Sequence, residues 1–162
     1  MRSFDVEWTV SHLQLDEHPE GGFYRRTYAS ELTMDGTPPG RAIGSAILYL
    51  LPRGQVSRLH RIDADEMWHH YDGDQLTVVE IKENGMVKQT VLGKNLAVGE
   101  TPQYVVKSGT WFGAFIPEGS RGALVGCTVH PEFLFDTFQL ANRDQILPLI
   151  APSDHPVVEK LL

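Results

Sequence analysis

Apolar positions along most of this chain recur at strand period rather than helix period. The exceptions are the two ends. Segment 4–15, FDVEWTVSHLQL, spaces Val6, Val10 and Leu13 near a helical repeat, which predicts a short amphipathic helix. HPEGG follows and ends it, because proline and paired glycine interrupt helices. FYRRTYAS is then aromatic and alternating, and AIGSAILYLLP is a mainly apolar run closed by Pro52-Arg53-Gly54. Asp72-Gly73, between MWHHY and LTVVEIK, reads as a tight turn, and Asn84-Gly85 is the strongest hairpin signal in the chain. TPQYVVKSG, WFGAFIP, ALVGCTV and FLFDTFQL are also short and bounded by glycine or proline; the last, with Phe133 and Phe135 alternating, reads as a core-facing strand. Many short strands at regular spacing predict an all-β sandwich or barrel. The tail returns to helical spacing in NRDQILPLI, interrupted by Pro148. In SDHPVVEKLL, Ser153 or Asp154 stands where an N-cap belongs and Pro156 falls in the first turn, so a final short helix packs outside the barrel.

No repeat, low-complexity tract or linker divides the chain, and 162 residues suit one domain. The expected layout over 1–162 is a helical segment at 1–17, a β-barrel at 18–140 and a helical tail at 141–162. A domain of this size needs no staple. Cys127 is the single cysteine, so no disulfide forms within one chain; amid ALVGCTV it reads as a small buried hydrophobe in a reducing compartment.

Charge narrows the function classes. The net charge is −7, and basic residues cluster only in YRRTY, which argues against nucleic acid and against anionic membrane surfaces. SAILYLLP is too short to span a bilayer. MRSFDVEWTV lacks the basic stretch and apolar run of a signal peptide. The expectation is a cytoplasmic protein acting on a small molecule.

Candidate chemistry concentrates in GQVSRLHRIDADEMWHHYDG at 54–73. It holds His60, His69 and His70, three of the seven histidines, beside Asp63, Asp65 and Glu66. Its spacing resembles the first motif of the cupin superfamily: Gly54, five residues, His60, one, Ile62, three, Glu66, six, Gly73. Isoleucine occupies the second histidine position. The second cupin motif has its nearest match at Lys107 to Phe112, with lysine for proline and Phe112 for the third histidine. HPEGGFYRRTY at 18–28, SRLHRIDADEMWHHYDGD at 57–74, VVKSGTW and PEFLFDTFQL at 131–140 also resemble one branch, the cupin-5 family, first classed as domain of unknown function 985. The resemblance implies a double-stranded β-helix, or jelly roll, enclosing a ligand cavity. It implies a homodimer held by sheet edges, and it brings no established reaction.

In metal-binding cupins two histidines, a glutamate and a third histidine hold the ion. His60 and Glu66 retain that pattern; Ile62 and Phe112 do not. Two protein ligands are few for a catalytic transition metal. On an extended strand Glu66, Trp68 and His70 share a face while His69 and Tyr71 take the other, and a bulge would exchange His69 for His70. His70 lies about 13 Å along the strand from Glu66, too far for one ion to bind both. No cofactor is expected.

Without a metal, His60 and Glu66 in an aromatic cavity suit acid–base work. The pattern looks like metal-free cupins that isomerise or epimerise sugars. His60 is then the base or acid and Glu66 its partner, with Trp68, Trp111, Phe112 and Phe115 as neighbours. Tyr71, Tyr104 or Tyr24 supplies a second proton-transfer group. Arg58, two residues before His60, has the parity to face the cavity, and Arg25 is a second candidate for an anionic handle; Arg26 reads as a surface or dimer salt bridge. His18 and Glu20 either reach the cavity or shape a turn. His70 completes the candidate ligand-binding set. Two alternatives remain beside metal-free acid–base chemistry on a carbohydrate or other carbonyl-bearing metabolite. One is a non-catalytic module that binds or stores an aromatic or nucleobase-like molecule; the other is a metal-dependent cupin enzyme. His60→Ala is expected to leave the fold intact, because a polar residue lining a cavity contributes little to packing.

Overall fold

A computed structural model describes residues 4–36 and 39–162. Residues 1–3 of the expected N-terminal segment lie outside the described residues. Helix α1 (Val6–Leu13) forms where the spacing placed it, and the Asp5 carboxylate caps it by accepting the Trp8 N–H at 3.0 Å. Strands follow in the order β1 (Asp16–Glu17), β2 (Phe23–Ala29), β3 (Thr33–Met34), β4 (Arg41–Ala42), β5 (Ser45–Pro52), β6 (Val56–Arg61) and β7 (Asp65–Gly73). Then come β8 (Leu76–Ile81), β9 (Val87–Leu92), β10 (Gln103–Val106), β11 (Trp111–Phe115), β12 (Gly122–His130) and β13 (Gln139–Leu140). Helices α2 (Arg143–Ile146) and α3 (His155–Glu159) end the chain.

The strands build an antiparallel jelly roll. One sheet runs β1-β2-β5-β12-β7-β10, the other β13-β6-β11-β8-β9, and β3-β4 form a small ribbon. The sheets enclose one core of Tyr49, Leu51, Trp68, Val78, Phe112 and Val125. A second core lies on the outer side of the five-stranded sheet. There Leu59, Val79, Ile81 and Trp111 meet Ile146, Ile150, Val158 and Leu161 of the tail. Strand β8 is buried at every position because its two faces serve the two cores. Trp111 and Phe115 therefore pack under the C-terminal helices rather than in the interior cavity. Among the described residues no helix is long and apolar enough to cross a membrane.

Three local expectations change. Asn84-Gly85 does join β8 to β9, with Gly85 at φ 79° and Lys82 N–H donating to Met86 O at 2.9 Å. Asp72-Gly73 is not a hairpin turn, because β7 and β8 belong to different sheets. FLFDTFQL is not one long strand: it holds a 3-10 turn at Phe135–Thr137, with only Gln139–Leu140 paired to β6. Its aromatic spacing serves one end of the barrel, where Phe133, Phe135 and Phe138 surround His18. Asp154 precedes α3 without a side-chain capping bond.

Candidate active site

HPEGG folds into a turn that delivers a carboxylate into the barrel. Gly21 N–H donates to His18 O at 2.9 Å and His18 N–H to Gly22 O at 3.0 Å. Gly21 and Gly22 have φ of 105° and 75°, and a Cβ on Gly21 would stand 2.1 Å from Val56 O, so glycine is required there. Tyr49 Oη donates to Gly21 O at 2.7 Å, and Gly22 N–H donates to Gln55 Oε1 at 2.8 Å. Arg58 N–H donates to Glu20 O at 2.8 Å. These bonds tie the turn to β5 and β6 and leave the Glu20 side chain buried, 7% of the residue exposed.

Strand β6 meets it from the other side. Phe112 pairs with His60 but Ala114 pairs with Ser57, so β6 carries one residue more than β11 between those pairs. That bulge changes the parity on which Arg58 was assigned to the cavity. Ser57 and His60 both turn inward, while the Arg58 side chain is exposed. What Arg58 supplies is its carbonyl oxygen, 2.7 Å from His60 Nδ1.

The bonds fix proton positions. A carbonyl oxygen only accepts, so His60 Nδ1 carries a hydrogen and Nε2 faces Glu20 Oε2 at 3.2 Å. Ser57 Oγ donates to the other oxygen, Glu20 Oε1, at 2.8 Å. Glu20 N–H donates to His18 Nδ1 at 3.2 Å, which makes His18 Nε2 the protonated nitrogen. His18 Nδ1 also lies 3.7 Å from Glu20 Oε2, but a nitrogen that accepts the backbone N–H has no proton to give that oxygen. Burial holds His18 below the ordinary imidazole range; Glu20 opposes this and His60 adds to it.

Glu66, on β7, lines the same cavity. Burial, then the nearby Glu20 carboxylate, pushes its carboxyl group up to about 8, against the lowering effect of its contact with Cys127. Glu66 is therefore mainly a neutral acid at pH 7. The Cys127 thiol is itself raised, by burial and then by Glu66, which makes it a poor nucleophile. The cavity measures about 370 Å³. Its lining includes Glu20, His60, Glu66 and Cys127, together with His18, Tyr24, Arg26, Phe133 and Phe135.

The other expected residues disperse. Phe112 packs against the His60 ring with centroids 4.2 Å apart, and Phe138 covers it at 5.1 Å. His60 is thus clamped between rings, a larger packing role than its polar character suggested. Trp68 is fully buried in the core against Tyr49 and Phe112 and does not line the cavity. His70 keeps the face of Glu66, as alternation required, but sits in a separate depression with Asp74 and Lys94, its Nε2 donating to Asp74 O at 2.9 Å. Tyr71 is exposed on the outer face, its ring lying over Gly126. His69 shares that face and meets Thr128 Oγ1 at 3.0 Å. On β2, Tyr24 and Arg26 reach the cavity and Arg25 does not. Arg26 is paired there, donating to Glu132 Oε1 at 2.7 Å and to Phe133 O at 2.6 Å. Tyr104 bonds Glu80 and Lys88 away from the cavity.

Ile62 is buried in apolar core and Phe112 covers His60, so the histidine positions of the metal pattern offer no donors. Among the described residues no group of three His, Cys, Asp or Glu could hold an ion. The residues present do not fit the metal centre of the fold's metal-binding members.

The sequence matches the model of the Cupin_5 family, described as Cupin superfamily (DUF985), over residues 7–141. The solved structure of protein SO0799 from Shewanella oneidensis is similar with a TM-score of 0.88 and 40% identity, covering 99% of this chain and 98% of that one. A hypothetical protein from Leishmania major gives 0.89 at 26% identity, covering 98% of both chains. The Saccharomyces cerevisiae protein YML079W is 28% identical in an alignment of 164 positions that covers 91% of this chain and 81% of the yeast protein.

Proposed function

Because this chain belongs to the Cupin_5 family of the cupin superfamily, we propose that its barrel is a small-molecule site performing metal-free acid–base epimerisation or isomerisation of a carbohydrate or other carbonyl-bearing metabolite. The observation that carries this reading is the Glu20–His60 pair sharing one cavity with Glu66, whose carboxyl group burial pushes up to about 8. The pair takes a proton from the carbon beside the carbonyl. The C–H electrons become the C=C bond of an enolate, and charge moves to the oxygen. Glu66 then gives its proton to the opposite face of that carbon, the C=C electrons form the new C–H bond, and the carbonyl returns with the centre inverted. The Glu20–His60 pair holds the extra proton and Glu66 is ionised, so the site is set for the reverse step or for exchange with solvent. General acid–base help of this kind is worth about 10²–10⁴ in rate.

His60 does not act alone in this scheme. Both of its ring nitrogens are engaged, so the group that meets the substrate is the Glu20 carboxylate, with His60 holding the compensating charge. The reading also takes the protein as a cytoplasmic homodimer. Its test is solvent deuterium: incubation in D₂O with a panel of hydroxy-carbonyl metabolites should place deuterium at the carbon beside the carbonyl. Glu20→Gln should stop it, and Glu66→Gln should stop inversion of the centre while the Glu20–His60 pair still exchanges the proton it removes. Absence of label from the wild type on every member would end the proposal.

The aromatic walls support a second reading, a non-catalytic binding module. Tyr24, Phe133 and Phe135 could hold a flat ring without turnover. A molecule that co-purifies, exchanges freely and gains no deuterium would favour it.

A further inference from the structure

An enolate needs a donor for its oxygen, and the acid and base above leave that oxygen without one. We propose that His18 is the electrophile of the site, its Nε2–H donating to the substrate's carbonyl oxygen and to the oxyanion that replaces it. The inference rests on the acid–base reading of the same cavity and adds a catalytic residue to it.

Three observations converge on His18. Its tautomer is set by the chain itself: Nδ1 accepts the Glu20 N–H, so the hydrogen is carried by Nε2. Its side chain is only 5% exposed and lines the cavity, and among the described residues no hydrogen bond is made at Nε2. Rings hold it in place, with Tyr24 edge-on at 4.6 Å and Phe135 at 5.9 Å. An imidazole buried among aromatic rings resists protonation, and the neutral ring keeps one N–H, on Nε2, with which to donate to an oxyanion. The neighbouring residue but one, Glu20, supplies the base. Donor and base therefore leave the same turn, and the atoms they would serve, a carbonyl oxygen and its adjacent carbon, are themselves neighbours. The substrate class that follows is a compact carbonyl compound with an acidic α-hydrogen, its carbonyl oxygen turned toward the His18 side of the cavity.

Two measurements decide it. In ¹⁵N-labelled protein, long-range nitrogen–proton spectra should show His18 as the neutral Nε2–H tautomer at neutral pH. An Nδ1–H tautomer or an imidazolium at pH 7 overturns the proposal whatever the protein catalyses. In the deuterium assay with glyceraldehyde, dihydroxyacetone and fructose as probes, His18→Phe keeps a ring but removes the donor. It should slow label uptake by on the order of 10²-fold. His18→Gln, which restores an N–H near the Nε2 position, should recover part of the rate. Wild-type uptake in His18→Phe overturns the electrophile and leaves the acid–base reading standing. No uptake by the wild type on any probe ends both, even where the tautomer is as expected. Thermal melts of both variants separate lost folding from lost donation.

Discussion

Glu20 Oε2 and His60 Nε2 lie 3.2 Å apart, one carried by a glycine-bound turn and the other by a bulged strand. Each is buried and each leaves the other short of a partner if removed. His60→Ala should lower stability by about 2–4 kcal/mol, because it empties the gap between Phe112 and Phe138 and strands the Arg58 carbonyl. This reverses the expectation of an intact, little-affected fold. A urea-unfolding cycle with Glu20→Ala, His60→Ala and the double variant should give a coupling of about 1–3 kcal/mol. Additive losses would mean that the two groups do not interact.

Glu66 makes stability depend on pH. Its folded value of about 8 stands above its ordinary 4.5, so the folded state holds the proton more tightly than the unfolded state. The contribution is fully present below about 4.5 and is lost as pH rises through about 8. The groups facing it are Cys127 and the Glu20 carboxylate. Urea midpoints of the wild type should fall between these limits, and Glu66→Gln should flatten the fall. An unchanged slope in Glu66→Gln would remove Glu66 as its source.

Gly21→Ala should damage the site from outside the cavity. The added Cβ meets a backbone oxygen at 2.1 Å, and the residue would keep a φ of 105°. Either the turn moves or β6 does, at a cost of about 2 kcal/mol or more. The nearby Glu20–His60 distance should lengthen with it. A crystal structure of Gly21→Ala with the turn unmoved would contradict this.

Tyr71→Ala and Arg25→Ala should leave deuterium exchange within about twofold of the wild type, since neither residue lines the cavity. A tenfold loss in either would mean that the substrate approaches across the outer face of the sheet.

The jelly roll was legible because its signals are local. Alternation, glycine boundaries and the Asn84-Gly85 turn each act over a few residues; that turn and most of the strands formed as read, while Asp72-Gly73 and FLFDTFQL did not. His60 and Glu66 were legible for the same reason, as spaced positions on strands. Glu20 was left between cavity and turn because its partner is supplied by a distant strand, and no short-range pattern reports that meeting. The glycines beside it were the available signal, since paired positive-φ positions pin what precedes them. Arg26 makes the salt bridge expected of it, but it and not Arg25 reaches the cavity, because strand phase cannot be set from a short aromatic run whose start is unknown. Trp111 went to the second core because β11 is covered on both faces, and an apolar run does not say which cover is which.

The extra residue in β6 has a consequence for comparing relatives. Between Ser57 and His60 it decouples spacing in the sequence from direction in space. A homologue with the same letters whose β6 pairs without the bulge would rotate a hydroxyl out and a guanidinium in, turning a neutral support for the carboxylate into a cation beside it. Alignments that preserve motif spacing can therefore join proteins whose barrels recognise oppositely charged molecules. The pairing register of this one strand becomes a character by which to sort them.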